Sequence, residues 1–105
     1  MQLIEAAAPG AFEGLTPPDA VFVGGGATVP GVIDASQAAL RPMGRLVVNA
    51  VTLETESALL QYQSQWGGSL TRIEISRAGP VGGENARMMG WRPARPIVQW
   101  AWVKS

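Results

Sequence analysis

The 105-residue chain contains no cysteine and no histidine. Their absence excludes disulfide bonds, Cys/His zinc sites and Ser-His or Cys-His nucleophilic catalysis, and we predict no metal site. Charged residues are also few and balanced, with eight basic residues (seven Arg and one Lys) against eight acidic ones. Because this balance gives no large positive field, we expect no nucleic-acid partner.

Long apolar runs are missing as well. None approaches the roughly 20 residues that a membrane helix needs, so no membrane association is expected. The first residues, M-Q-L-I-E, lack the basic start and cleavage site of a signal peptide, which predicts a cytoplasmic location. At 105 residues, 47% of them apolar, the chain has enough apolar residues for a core and is one small domain or part of a larger one.

The most distinctive segment is P-D-A-V-F-V-G-G-G, residues 18–26. A short apolar strand at 20–23, expected to be buried on both faces, ends in Gly24, Gly25 and Gly26. Glycines at the end of a parallel strand let the backbone turn and approach a ligand, which predicts a cofactor site at these three residues. An ordinary tight turn between strand and helix is the alternative.

The remaining pattern alternates strands with helices and predicts an α/β fold. Apolar spacing of three to four residues predicts helices, with Thr52 or Thr55 capping the second of them. Parallel strands need crossover helices, whereas the last two strands, joined by a loop, are expected to form an antiparallel hairpin. The predicted elements are a possible strand at 1–5, strands at 20–23, 45–51, 69–77 and 97–103, helices at 29–40 and 53–66, and an irregular segment at 78–96.

Three stretches together resemble one family. They are P-D-A-V-F-V-G-G-G, then L-R-P-M-G-R-L-V-V-N-A-V-T-L-E (40–54), and finally G-W-R-P-A-R-P-I-V-Q-W (90–100). The chain resembles the decarboxylating precorrin-6Y C5,15-methyltransferases of cobalamin biosynthesis, specifically the C-terminal half of their second methyltransferase domain. The most specific parts are N-A-V-T-L-E and G-W-R-P-A-R-P.

The resemblance implies a class I, Rossmann-like S-adenosylmethionine-dependent methyltransferase fold, with sheet order 3-2-1-4-5-7-6. The strands at 20–23, 45–51, 69–77 and 97–103 would then be strands four to seven. The cofactor would be S-adenosylmethionine, with Ala6 and Ala7 in the turn beside the adenine. The glycine-rich half that normally holds this cofactor has no counterpart here, so residues 1–105 are expected to be a partial domain, inactive alone.

Candidate catalytic residues lie in the strand at 45–51 and directly after it. Asn49 is a polar residue in an apolar strand, and a buried amide needs hydrogen-bond partners. It either bonds a neighbouring loop or faces the substrate. Glu54 either serves helix capping, with its charge near the positive end of the helix dipole, or acts on the substrate. In the second case it handles a proton in methylation or decarboxylation, or hydrogen-bonds a substrate side chain. Thr52, on the same loop, either caps the helix or contacts the substrate.

Candidate substrate-binding residues also lie in the segment at 78–96. The tetrapyrrole (precorrin) substrate that the resemblance implies carries many carboxylates, which the guanidinium groups of Arg87 and Arg92 match well. Trp91 lies beside them. The alternative is that these arginines are solvated or belong to an interface, and that the tryptophan serves packing or subunit contact.

A non-catalytic assembly module is the rival hypothesis. If strands one to three are absent, the strand at 20–23 loses a neighbour and becomes an apolar edge that invites pairing with another chain. We therefore expect a homo-oligomer, formed edge to edge or through the C-terminal tryptophan strand.

Overall fold

The computed structural model describes residues 3–5, 9–12, 14, 16–24, 31–85 and 87–105. Within these ranges the chain forms seven strands and two α-helices, with a 3₁₀ turn at Pro9–Phe12. The strands are β1 (Leu3–Glu5), β2 (Ala20–Val23), β3 (Arg45–Ala50), β4 (Ser69–Ile73), β5 (Ser76–Val81), β6 (Met88–Pro93) and β7 (Ile97–Val103). The helices are α1 (Val32–Ala39) and α2 (Leu53–Trp66).

Five strands form the main sheet in the order β1-β2-β3-β7-β4. β1, β2 and β3 are parallel, and β7 runs antiparallel between β3 and β4. Helices α1 and α2 make the two predicted crossovers, since β2, β3 and β4 all point the same way. The arrangement β2-β3-β7-β4 is the expected 4-5-7-6 order, and the predicted antiparallel pairing of the last two strands of this sheet is confirmed.

The prediction that strand 20–23 would be an uncovered edge is wrong. β1 pairs with β2 in parallel, with Leu3 opposite Ala20 and Glu5 opposite Phe22. In the expected sheet order this place belongs to strand one, and in the described chain β1 occupies it. Pairing with β1 satisfies backbone groups that would otherwise stay exposed along β2.

The core lies on one face of this sheet, the face on which both described helices pack. Along β3, Leu46, Val48 and Ala50 are buried while the residues between them are partly or fully exposed. The prediction that the strand at 20–23 is buried on both faces is also wrong, because Ala20 and Phe22 on its second face are only half-buried. Its alternation is typical of a sheet covered on one side.

Helix α2 is fixed at both ends by side chains. Thr52 caps its start as predicted, with Oγ1 accepting from the Thr55 backbone N–H at 3.2 Å. At its other end the indole Nε1 groups of Trp100 and Trp102 donate to the carbonyls of Gly67 (2.9 Å) and Trp66 (3.2 Å). These carbonyls have no partner within a helix, so β7 serves as the C-terminal cap of α2.

An aromatic cluster connects α2 to β7. Trp100 is fully buried and stacks on Tyr62, with ring centroids 5.8 Å apart and planes 20° apart. Trp66 lies 4.9 Å from Tyr62 and 5.3 Å from Trp102. The pKa of Tyr62 is raised above its ordinary value, mainly by burial and to a smaller extent by the nearby Asp34 carboxylate. Trp66, Trp100 and Trp102 therefore pack together between α2 and β7.

Lys104 caps helix α1 from a distant part of the chain. Its Nζ donates to the carbonyl oxygens of Leu40 (2.7 Å), Gln37 (2.9 Å) and Ala38 (3.3 Å). An ammonium group at the negative end of the helix dipole is favourable, and α1 has no basic residue of its own in its last turn. The end of β7 is thereby tied to α1.

The irregular segment expected at 78–96 is instead a second sheet. β5 and β6 form an antiparallel hairpin, which we call the hairpin arm (Ser76–Pro93). Pro80 lies inside β5, which is possible because both strands of a two-stranded sheet are edges. The molecule is elongated because the arm projects from it. The radius of gyration of the whole molecule is 17.3 Å, against about 13 Å for a compact domain of this size.

In the described part of the chain, no helix is long and apolar enough to cross a membrane.

Candidate functional site

A cavity of about 600 Å³ opens at the carboxyl edge of the main sheet. Gly24 directly follows β2, and residues 51–55 directly follow β3. β7 runs antiparallel, so its first residue, Ile97, reaches the same edge. Open α/β sheets bind ligands at this edge, which makes the cavity the candidate site. Its lining residues are Gly24, Asn49, Val51, Thr52, Glu54, Thr55 and Ile97.

Asn49 lies in the wall of this cavity and is half-buried. Its side-chain Oδ1 accepts a hydrogen bond of 3.1 Å from Nε2 of Gln99, the residue directly opposite on β7. The partner of the amide is therefore a side chain on a neighbouring strand rather than a loop. Asn49 thus has both features that the sequence left open, a structural bond and a position in the cavity wall.

Thr52 and Glu54 lie at the start of α2, on the cavity's rim. The Thr52 hydroxyl also donates to Thr55 Oγ1 at 3.0 Å, so capping occupies it as donor and as acceptor. Glu54 is exposed and lies in the first turn of the helix, where its charge favours the positive end of the dipole. Its carboxylate is therefore available to solvent, and Glu54 and Asn49 line the same cavity.

Of the five residues predicted to bind the cofactor, Gly24 is in the described part and lines the cavity. Ala6, Ala7, Gly25 and Gly26 lie outside the described residues. A Cβ added at Gly24 would meet only the Phe22 ring, at 3.5 Å, which is ordinary contact. At this position the glycine is therefore not required by close packing within the described chain.

Three of the predicted substrate-binding residues lie on the hairpin arm: Arg87 directly before β6, and Trp91 and Arg92 within it. None of them lines the cavity. Trp91 is 75% exposed. The arm does start at the cavity's edge, because Ile73 pairs with Ile97 and the Ala94 N–H donates to the Ile75 carbonyl at 2.8 Å. It therefore projects outward from the rim of the candidate site.

Sequence reasoning missed two residues at this edge. Gln99 is a polar residue in the otherwise apolar and aromatic strand I-V-Q-W-A-W-V. A polar residue in an apolar strand is also the signal that identified Asn49. Arg72 lines a smaller cavity of about 130 Å³, which shares Val51 and Thr52 with the main one. Its guanidinium lies 2.8 Å from Glu74 and 3.8 Å from Glu56, so two carboxylates already pair with it.

A further cavity of about 570 Å³ lies at the opposite edge, where β2 and β3 begin. The ion pair between Arg41 and Asp19, at 2.7 Å, spans its wall. Since this is the amino edge of the parallel strands, the fold gives no reason to expect a ligand there. Among the described residues, no group of three or more His, Cys, Asp or Glu side chains could hold a metal ion.

The chain was compared with known proteins. Residues 1–104 match the family model described as precorrin methyltransferase domain. A precorrin-6Y C(5,15)-methyltransferase [decarboxylating] from Sinorhizobium is 50% identical over 104 residues, which are 99% of this chain and 24% of that protein. The corresponding Mycobacterium tuberculosis protein is 42% identical over 97 residues, 92% of this chain and again 24% of the relative.

Solved structures give the same result. The C-terminal domain of precorrin-6Y C5,15-methyltransferase from Rhodobacter capsulatus is 41% identical, with a TM-score of 0.79 over 94% of this chain and 51% of that chain. A Corynebacterium diphtheriae domain, described as a putative precorrin-6Y C5,15-methyltransferase, is 42% identical, with a TM-score of 0.75 over 84% of this chain and 50% of its own. The predicted Rossmann-like methyltransferase fold is confirmed.

The chain spans about a quarter of the length of the curated relatives and about half of the matched structures. The match covers the strands and helices that build the cavity, from β1 to β7. The chain therefore belongs to the precorrin methyltransferase domain family.

Proposed function

We propose that this chain is the C-terminal half of a methyltransferase domain that methylates carbon 15 of a precorrin and decarboxylates its carbon-12 acetate in cobalamin biosynthesis. The observation that carries the proposal is the 50% identity to a decarboxylating precorrin-6Y methyltransferase over nearly the whole chain. The cavity at the carboxyl edge of the sheet supports it, because this is where such a fold binds its ligands. A cytoplasmic location remains a prediction.

The residues present fit one wall of an S-adenosylmethionine site. Gly24 lies at the end of a parallel strand and borders the cavity. The cavity is lined by polar groups, the Asn49 amide and the Glu54 carboxylate, and by the apolar side chains of Val51 and Ile97. When bound, this cofactor supplies an activated methyl group, so the protein mainly has to position the two reactants. Gly24 would border the cofactor, and Ala6, Ala7, Gly25 and Gly26 remain predicted contacts.

The remaining chemistry falls to side chains on the rim. We assign Asn49 as a hydrogen-bond partner of the substrate and Glu54 as the carboxylate that holds or accepts a proton during methylation or decarboxylation. Glu54 is exposed on the cavity's rim, and its side chain has no ion pair within the described residues. Contacts of the substrate's carboxylates with Thr52, Arg87, Trp91 and Arg92 remain predictions.

A chimera tests this assignment, because it supplies the half that the chain lacks. The 105-residue segment replaces its counterpart in the Sinorhizobium relative, and methyl transfer and CO₂ release from precorrin-6Y are followed by mass spectrometry. We expect an active chimera in which Glu54→Gln lowers the rate about 100-fold, the scale of general acid–base catalysis. Glu74→Gln, the same carboxylate-to-carboxamide change at an exposed residue between β4 and β5, is the control and should change the rate less than twofold.

An inactive chimera that folds and binds S-adenosylmethionine would overturn the proposed function. Equal effects of Glu54→Gln and Glu74→Gln would overturn the role of Glu54 alone. The isolated 105-residue chain is a second control, since only one wall of the cofactor site is present. Micromolar binding of S-adenosylmethionine to it in isothermal titration would contradict the view that the chain is a partial domain.

We also propose that the protein is a homo-oligomer whose contact is the hairpin arm. Met88, Met89 and Trp91 are 75%, 67% and 75% exposed, on a two-stranded sheet that is only marginally stable alone in water. Large exposed apolar side chains on open strand edges favour association. The modes expected from the sequence receive no support, because β2 is paired with β1 and β7 lies between β3 and β4.

Light scattering after size-exclusion chromatography measures the mass. We expect a mass above that of the monomer for the 105-residue chain, and a monomer for the double variant Met89→Glu, Trp91→Glu. Leu53→Glu, which changes a side chain 78% exposed on α2, is the control and should keep the higher mass. A monomeric parent chain, or a double variant with unchanged mass, would refute the arm as the contact.

A further inference from the structure

The hydrogen bond between Gln99 and Asn49 has a direction. Gln99 Nε2 donates to Asn49 Oδ1 at 3.1 Å, and both side chains are half-buried. Gln99 belongs to the strand that is paired on both sides, opposite Asn49 on β3 and Thr71 on β4. Its backbone is therefore held firmly, and its side chain has a fixed place from which to act on Asn49.

The direction of this bond decides which group Asn49 offers to the cavity. A carboxamide carries one acceptor oxygen and one NH₂ donor on opposite sides of its carbon. With Oδ1 bonded to Gln99, Nδ2 is the group of the Asn49 side chain that is left for a ligand in the cavity. Within the described residues the Asn49 side chain makes no hydrogen bond except the one to Gln99.

We propose that Gln99 is a positioning residue that orients the Asn49 amide so that its Nδ2 donates a hydrogen bond to an acceptor group of the substrate. This inference rests on the proposed function, because it takes the cavity as the substrate site. The chemistry it selects is an anionic or carbonyl oxygen, and a carboxylate arm of the macrocycle provides the former. Gln99 itself makes no contact with the substrate.

A purely structural pair is the competing explanation, and Gln99→Glu separates the two. The introduced carboxylate has acceptors only, so Asn49 has to rotate and donate its Nδ2 to β7. The two strands stay joined by a hydrogen bond, but the cavity now receives Oδ1, which repels an oxygen acceptor. If the pair is only structural, substrate binding should be unchanged in Gln99→Glu. If Gln99 orients Asn49, substrate binding should weaken.

The test uses the chimera with the Sinorhizobium relative, and the readouts are KM and kcat for precorrin-6Y. We expect Gln99→Glu to raise KM about tenfold or more, the loss of one hydrogen bond to a charged group, with kcat changed less than threefold. In the Asn49→Ala background Gln99→Glu should change KM less than twofold. Gln61→Glu, the same change on the exposed side of α2, should have no effect.

Three results would overturn the inference. One is an unchanged KM in Gln99→Glu although Asn49→Ala raises it, which leaves the proposed function intact. Another is a full effect of Gln99→Glu in the Asn49→Ala background, because Gln99 would then act directly. The third is a fall in thermal midpoint together with an unchanged KM, which assigns the pair to stability. Loss of methyl transfer in the parent chimera would instead refute the proposed function itself.

Discussion

Gly68→Ala is expected to lower the free energy of unfolding by about 3 kcal/mol or more. Gly68 follows α2 with φ of +94°, a conformation that side chains with a Cβ rarely adopt. An added Cβ would lie 2.5 Å from the Ala101 carbonyl oxygen and 2.8 Å from Trp100 Nε1. Both belong to β7, which is paired on two sides and cannot move away. Urea unfolding followed by tryptophan fluorescence measures the change.

Gly67→Ala is the matched control. Gly67 also has a positive φ, +80°, but nothing lies within 4 Å of a Cβ added there. Its alanine variant should lose about 1–3 kcal/mol, the cost of a backbone conformation that is essentially restricted to glycine. The difference between the two variants measures the collision with β7. If both lose the same stability, the close packing of Gly68 against β7 contributes nothing.

Trp100→Ala is expected to remove about 3–5 kcal/mol, a large part of the roughly 5–15 kcal/mol that stabilises a typical domain. Trp100 is fully buried, stacks against Tyr62 and Trp102, and caps α2 through its indole N–H. Truncation therefore leaves a cavity between helix and sheet and an unpaired carbonyl at Gly67. Thermal and urea unfolding by circular dichroism give the loss.

Two variants divide this effect. Trp100→Phe keeps a ring in the cluster but removes the N–H that donates to the Gly67 carbonyl. We expect the unpaired carbonyl to lower the free energy of unfolding by about 1–2 kcal/mol. Leu60→Ala removes a side chain of the same helix that is 52% exposed and should cost less than about 1 kcal/mol. A Trp100→Ala variant as stable as Leu60→Ala would contradict the central place of Trp100 in the core.

The main sheet and α2 could be predicted because local signals and family resemblance agree there. Thr52 and the glycines after Trp66 mark both ends of α2, and β7 has the predicted bounds. The hairpin arm could not be predicted, since Pro80, Gly79 and Gly90 argue against strands. The Arg92 stem packs over Gly79, and it would have to shift for an added Cβ, which would lie 2.7 Å from Arg92 Cδ.

The candidate site was only partly visible in the sequence. Asn49 stands out as a polar residue in an apolar strand, and the residues after it follow from its place at the strand's end. Its pairing with Gln99 could not be predicted, because the register of β3 against β7 depends on residues 50 positions apart. The arginines of the arm are predicted to bind the substrate because guanidinium groups match its carboxylates, but the arm projects outward from the rim of the site.

The position of β7 has a consequence for how the protein folds. β7 is the last of the described strands in chain order, yet it lies between β3 and β4. These two strands pair with β7 and not with each other. During synthesis the ribosome releases β4 and α2 well before their partner, so the indole caps of α2 and half of the sheet form only at the end. We expect slow folding dominated by these long-range pairings, with the earlier segments prone to aggregate until β7 is inserted.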